Sequence, residues 1–186
     1  KKKSDLNSKN YRKALNAAKY RWGAENGCEV IENIVIFFDR KLNWKWNKYF
    51  NEADKNRYSN FVDDDLLKIK NIGFKLRDLT LSSFNQHYAA FDTHVTRVPT
   101  RIGLLNYGFE LLNDQNFEMG NDPSNEKNYL FLHRLFIKLS QMTDEKYSVA
   151  DLDRIFWHFG KTMCSSKPKC NKCSIATDCL TGKYRV

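Results

Sequence analysis

The chain has 186 residues, with 31 Lys+Arg against 22 Asp+Glu and a formal charge of +9. That length suits one moderate domain or two small ones, and 41% hydrophobic with 14% aromatic content excludes global disorder. The longest apolar run, Ile34–Phe38, has five residues where a membrane helix needs about 20, so no membrane partner is expected.

The start carries no charged, apolar and cleavable leader pattern, so secretion is unsupported. The chain opens on Lys1 rather than Met, which leaves open whether N-terminal sequence is missing. Only 8 Gly and 3 Pro disfavour a turn-rich β-sandwich. Residues 1–22 carry +7 and residues 161–186 carry +5, with a nearly neutral body between. Basic ends suit a polyanion; on charge alone, a well-solvated basic protein is an equal alternative.

The spacing predicts a mostly helical chain. Ser8 or Asn10 caps a first helix with Tyr11, Leu15, Ala18 and Trp22 on one face, closed by Gly23. Val30, Ile31, Ile34, Val35 and Phe38 have helical spacing. Residues 42–60 stay unassigned; their aromatics Trp44, Trp46, Tyr49 and Phe50 suit packing better than base stacking. A short helix with Leu66, Leu67 and Ile69 runs into Asn71-Ile72-Gly73, and a second follows with Leu76, Leu79, Thr80 and Phe84.

Asp92 is placed to cap the next helix. Residues 113–127 read as a surface loop, and Leu132, Leu135, Phe136 and Leu139 as a helical stripe. Ser148-Val149-Ala150-Asp151 reads as a capping box for a last helix with Leu152, Ile155, Phe156 and Phe159, ending at Gly160. The fold class expected is an all-α core with a C-terminal cysteine appendix.

Four of the five cysteines follow the spacing Cys164-x5-Cys170-x2-Cys173-x5-Cys179, while Cys28 stands alone as a buried apolar residue. Without secretory signals, metal ligation is favoured over disulfides. Structural zinc more often uses two Cys-x2-Cys pairs. One such pair flanked by single cysteines suits a [4Fe–4S] cluster better, with zinc the runner-up.

A helix, a tight Asn-Ile-Gly hairpin and a second helix form a phosphate grip that does not read sequence. Lys75 follows in the first turn of the second helix, and Asp92 opens the next. The positive end of a helix disfavours an ammonium and so makes a nucleophilic amine more accessible, whereas it favours a carboxylate. Such a pair suits displacement at a sugar C1′, where positive charge develops and a Schiff base can form. A surface lysine beside a simple N-cap is the plain alternative.

The ordered motifs Ile69-Lys70-Asn71-Ile72-Gly73-Phe74-Lys75, Phe91-Asp92-Thr93-His94-Val95-Thr96-Arg97-Val98, and Gly160 before the cysteine loop with Lys167-Pro168-Lys169 resemble the helix-hairpin-helix DNA glycosylases of the iron–sulfur endonuclease III type. The resemblance spans residues 64–179. It implies that fold, with a C-terminal [4Fe–4S] loop and an abbreviated N-terminal part, and an intracellular base-excision-repair enzyme acting on damaged or abasic duplex DNA. Lys75 falls on the Schiff-base lysine and Asp92 on the catalytic aspartate. Cys164, Cys170, Cys173 and Cys179 fall on the cluster ligands.

A lysine at that position implies a bifunctional glycosylase with β-elimination lyase activity. Oxidised pyrimidines are the favoured substrates, ahead of 8-oxoguanine. The expected DNA contacts are Lys70, Asn71, Ile72, Gly73 and Arg77, with Lys167, Lys169 and Lys172 on the loop. The implied division is 1–62 as an N-terminal helical segment, 63–160 as the catalytic domain, and 161–186 as the cluster loop and tail.

The chain departs from the family pattern in four places. Asn71 replaces the hairpin's usual first glycine, and Leu76-Arg77-Asp78 stands where small residues are usual. The first cysteine gap is five residues rather than six, and nothing upstream matches the segment that supplies the wedge and part of the base pocket. The alternative function is a catalytically silent DNA-binding or complex-forming module.

Overall fold

Every regular element among the described residues is helical, as expected for an all-α chain. The computed structural model describes residues 8–20, 23–56, 61–104 and 125–185. The chain divides into two compact units, 1–73 and 74–186. The first unit ends at Gly73, inside the hairpin motif, and the cysteine segment lies in the second unit.

In the first unit, α1 (Ser8–Ala17) stops short of the expected end. Lys19 turns into the left-handed region (φ 50°), and Gly23 (φ 81°) caps the start of the next helix instead of closing this one. Trp22 lies outside the described residues. Helix α2 (Ala24–Ile36) approaches α1 closely at Gly27, where a Cβ would meet Leu15 Cδ1 at 2.7 Å. A π-helical turn, Phe37–Lys41, follows and buries both phenylalanines.

The unassigned 42–60 stretch contains α3 (Trp46–Lys55). Trp46 stacks on Phe38 with ring centroids 3.5 Å apart, and Tyr49 meets Phe37 edge-on at 5.8 Å. These aromatics pack against protein, as their composition suggested. The short helix expected over 66–69 is two 3-10 turns, Phe61–Asp63 and Asp65–Lys68. Asp64 breaks them by accepting from Leu66 N–H at 2.8 Å and from the Tyr49 hydroxyl at 3.0 Å.

The second unit begins with α4 (Phe74–Ser82), which buries Arg77, Asp78 and Leu81. Helix α5 (Thr93–Ile102) is capped by Asp92 and ends at Gly103 (φ 101°). Helix α6 (Glu126–Gln141) buries Phe131, Leu132, Leu135 and Phe136. Positions 113–124 of the expected loop lie outside the described residues, while Glu126 and Lys127 belong to α6.

Helix α7 (Val149–Thr162) starts at the predicted capping box but runs past Gly160. A Cβ at Gly160 would meet the His94 carbonyl oxygen at 2.5 Å, so this glycine marks the close approach of α7 to α5 rather than a helix end. Phe91 joins the helices, meeting Tyr129, His133 and Phe136 edge-on at centroid distances of 5.3, 5.0 and 4.9 Å. A 3-10 turn, Cys170–Lys172, and a one-turn helix α8 (Leu180–Lys183) complete the unit. Among the described residues no helix is long and apolar enough to cross a membrane.

Candidate functional site

The first turn of α4 and the start of α5 bring Lys75 and Asp92 together. Asp92 Oδ1 accepts from the backbone N–H groups of His94 and Val95 at 2.8 and 3.0 Å, which aims the carboxylate. Its Oδ2 lies 3.4 Å from Lys75 Nζ. The lysine side chain is 47% exposed and the aspartate 14%, so the pair sits at the mouth of a site rather than in the core.

Both residues line an open cleft of about 540 Å³ with Leu79, Ala90, Asp153, Arg154, Trp157 and His158. Lys75 and Leu79 are one helical turn apart on α4, while the other four side chains from Asp153 onward come from one face of α7. Lys161 Nζ lies 4.6 Å from the Trp157 ring centroid, leaving a partly exposed indole in the wall beside a cation.

Asp153 Oδ2 accepts from Ala90 N–H at 3.2 Å, tying α7 to the segment that leads into Asp92. Burial pushes the Asp153 carboxyl above its ordinary value; Ala90 N–H draws it back, and the Asp92 charge raises it further. Sequence reasoning did not single out Asp153. The available signal was its place on the same side of the helix as Trp157, at i and i+4.

Helix α4 also contributes to a buried polar network. Asp78 Oδ1 is 2.9 Å from Arg77 Nη1, and Asp78 Oδ2 is 2.5 Å from His133 Nε2. The Tyr129 hydroxyl donates to Asp78 Oδ2 at 3.0 Å, and burial followed by the Asp78 charge pushes its phenol well above the ordinary value. Arg77 was expected at DNA; at 2% exposure it is a core residue, its charge compensated by Asp78.

The hairpin candidates divide. Asn71 adopts φ 68°, a left-handed conformation that favours glycine and that asparagine visits more readily than most residues. Gly73 has open space where a Cβ would be, and its N–H makes no hydrogen bond among the described residues. Ile72 is a correction: its side chain is buried and its N–H donates to Ile69 O at 3.0 Å, so its amide is used within the turn. Lys70 is exposed and pairs with Glu29 at 3.0 Å. Lys167, Lys169 and Lys172 are exposed on the cysteine loop.

Cys164, Cys170, Cys173 and Cys179 line one shared cavity of about 20 Å³, and all are free thiols. Among the described residues no three His, Cys, Asp or Glu side chains converge as ligands of a single ion. Arg101 from α5 donates to the carbonyls of Cys164, Ser165 and Ser166 at 3.3, 2.5 and 3.3 Å, and its Nη1 lies 3.6 Å from Cys164 Sγ. Gly182 N–H donates to Cys179 Sγ at 3.4 Å. A Cβ at Gly182 would meet the Ala176 carbonyl oxygen at 2.2 Å, so glycine is required there.

The guanidinium beside Cys164 Sγ suits a thiolate, whereas Cys179 Sγ donates to the Arg101 carbonyl at 3.2 Å. Four cysteine sulfurs around one space are the donor set a cluster takes. Arg101 gave no sequence signal beyond being a basic residue in the last turn of α5.

Comparison with known proteins returned no match: no protein-family model, no curated protein and no solved structure matches this chain.

Proposed function

We propose that the chain is a bifunctional DNA glycosylase and abasic-site lyase of the helix-hairpin-helix type. The observation that carries this reading is the Lys75–Asp92 pair, held by a helix cap at the mouth of an open cleft. An amine facing a fixed carboxylate suits attack on the C1′ of a damaged nucleoside. The carboxylate stabilises the positive charge that develops on the sugar as the base leaves. The resulting imine acidifies the C2′ proton, and loss of that proton expels the 3′ phosphate. Leu79 and the Trp157 indole offer apolar walls for a flat base, with oxidised pyrimidines ahead of 8-oxoguanine on the resemblance in sequence.

The exposed loop lysines Lys167, Lys169 and Lys172 serve one stretch of phosphate backbone. The hairpin serves another through Lys70, Asn71 and the Gly73 amide. Cys164, Cys170, Cys173 and Cys179 would hold a [4Fe–4S] cluster, which takes thiols spread around a space rather than converging on a point. When bound, the cluster supplies a rigid, charged scaffold for the loop. Brown colour with iron and sulfide in near-equal amounts supports it; zinc in their place refutes it.

Borohydride trapping on duplex DNA with an abasic site tests the function. The parent protein is expected to form a covalent adduct that Lys75→Ala does not form. DNA binding without an adduct, from folded protein with its cysteine site filled, would instead favour the silent module. Affinity is expected to fall steeply with salt, and salt-insensitive binding would count against phosphate contacts.

A further inference from the structure

Lys75 and Asp92 supply a reaction centre but nothing that reads the base to be removed. Asp92 Oδ1 is committed to two backbone amides, and its Oδ2 faces Lys75. Two side chains of α7, Asp153 and Trp157, line the same cleft. They stand four positions apart, which puts them on one face of the helix.

One Asp153 oxygen accepts from Ala90 N–H at 3.2 Å, which fixes the carboxylate against the segment leading into Asp92. Its other oxygen makes no hydrogen bond among the described residues. The Trp157 indole is 39% exposed, and the His94 ring braces it edge-on at a centroid distance of 6.3 Å. The cleft thus presents a flat apolar surface and, one helical turn away, a fixed acceptor with nothing to accept from.

We infer that Asp153 and Trp157 are the base-reading pair of this cleft, and that they select a uracil- or thymine-derived base. The inference rests on the glycosylase reading of the same site. An aromatic side chain is a stacking platform for a base taken out of the duplex, and it tolerates any base because every base has a flat face. Selection then falls to the polar group at the edge of the base, and an ionised carboxylate there can only accept.

An oxidised uracil or thymine offers it one donor, the ring N3–H between two carbonyls. 8-Oxoguanine offers two adjacent donors, N1–H and the exocyclic amine, which match a carboxylate with both oxygens free. Ala90 N–H already takes one Asp153 oxygen, so the remaining one matches the single-donor edge. In this role Asp153 moves no proton and forms no covalent bond. Its hydrogen bond is made when the base enters, before the bond to C1′ breaks, so its contribution belongs to KM rather than kcat.

The test is base release from a duplex with a single 5-hydroxyuracil, measured against cleavage of the abasic duplex, for the parent and Asp153→Asn. The asparagine keeps an oxygen for Ala90 N–H and turns its amide NH2 toward the cleft, where it would meet N3–H donor to donor. The ratio of kcat/KM for base release to that for abasic cleavage is expected to fall about ten- to a hundredfold, the range for losing a hydrogen bond to a charged group. The loss should appear in KM.

A second measurement uses the parent alone. With the lesion opposite a tetrahydrofuran spacer, so that base pairing plays no part, N3-methylation of 5-hydroxyuracil is expected to slow release by a similar factor. This comparison decides the matter if the Asn variant does not fold.

An unchanged ratio in the Asn variant, or equal release of the methylated and unmethylated bases, would overturn the inference while leaving the lyase reading intact. A parent that releases 8-oxoguanine faster than 5-hydroxyuracil, or that cleaves abasic duplex but releases neither base, would overturn it as well. No base release and no abasic adduct from the parent would overturn both.

Discussion

Lys75 and Arg77 lie two positions apart on α4, each beside an aspartate, yet the helix turns them toward opposite environments. The Lys75–Asp92 pair is 3.4 Å apart with side chains 47% and 14% exposed, whereas Arg77–Asp78 is 2.9 Å apart at 2% and 0%. An exposed pair contributes about 0–1 kcal/mol and can be opened by an incoming ligand at little cost. A buried pair cannot be opened in that way, because removing one partner strands the other charge in the core. One helix thus carries a buried ion pair on its inner face and an accessible one on its outer face. On the proposed function, that separation leaves the reactive lysine on a rigid element without locking it.

The separation can be broken by substitution. Asp78→Ala, which leaves Arg77 uncompensated and removes the acceptor for Tyr129 and His133, is expected to cost about 3–5 kcal/mol in urea unfolding. A loss under 1 kcal/mol would show that the inner face is not the structural one. Gly160→Ala forces α7 away from the His94 carbonyl and should cost about 1–3 kcal/mol. Because His94 lies just after the Asp92 cap, the same variant should slow trapping. A stable, fully active variant would refute the close approach.

Asp92→Ala removes the α5 cap at about 1 kcal/mol, whereas Asp92→Asn keeps the acceptor and should be nearly neutral in stability. Both variants are expected to slow base release, which separates the capping role from the charge. The smallest stability effect belongs to Lys75→Ala, within about 0.5 kcal/mol of the parent by thermal unfolding. A large loss there would put Lys75 among the residues that hold the fold.

The sequence made the outer face of α4 legible and left the inner face obscure, for a physical reason. Lys75 and Asp92 stand at helix starts, where N-caps and first turns leave a local signature, and the structure places them side by side. Arg77 and Asp78 carry no such signature: a charged dipeptide reads as surface until the aspartate's partners, His133 and Tyr129, arrive from α6. Gly160 read as a helix end because a glycine stop and a close approach to another helix look alike in one dimension.

Ile72 had the right position for a phosphate grip, but only the fold reveals that its amide is used by Ile69. The cysteines were legible by spacing, and the structure gathers all four around one cavity. Arg101 joins them from α5, far away in sequence, and spacing carries no record of that.

The most direct test of the central claim, that Lys75 is the nucleophile of this cleft, is to map the site of covalent attachment. Protein trapped on abasic duplex with borohydride is digested, and the modified peptide is sequenced by mass spectrometry. The reduced sugar is predicted on Lys75 Nζ, with no adduct elsewhere. Attachment to another lysine or to the terminal amine, with Lys75 unmodified, would contradict the account.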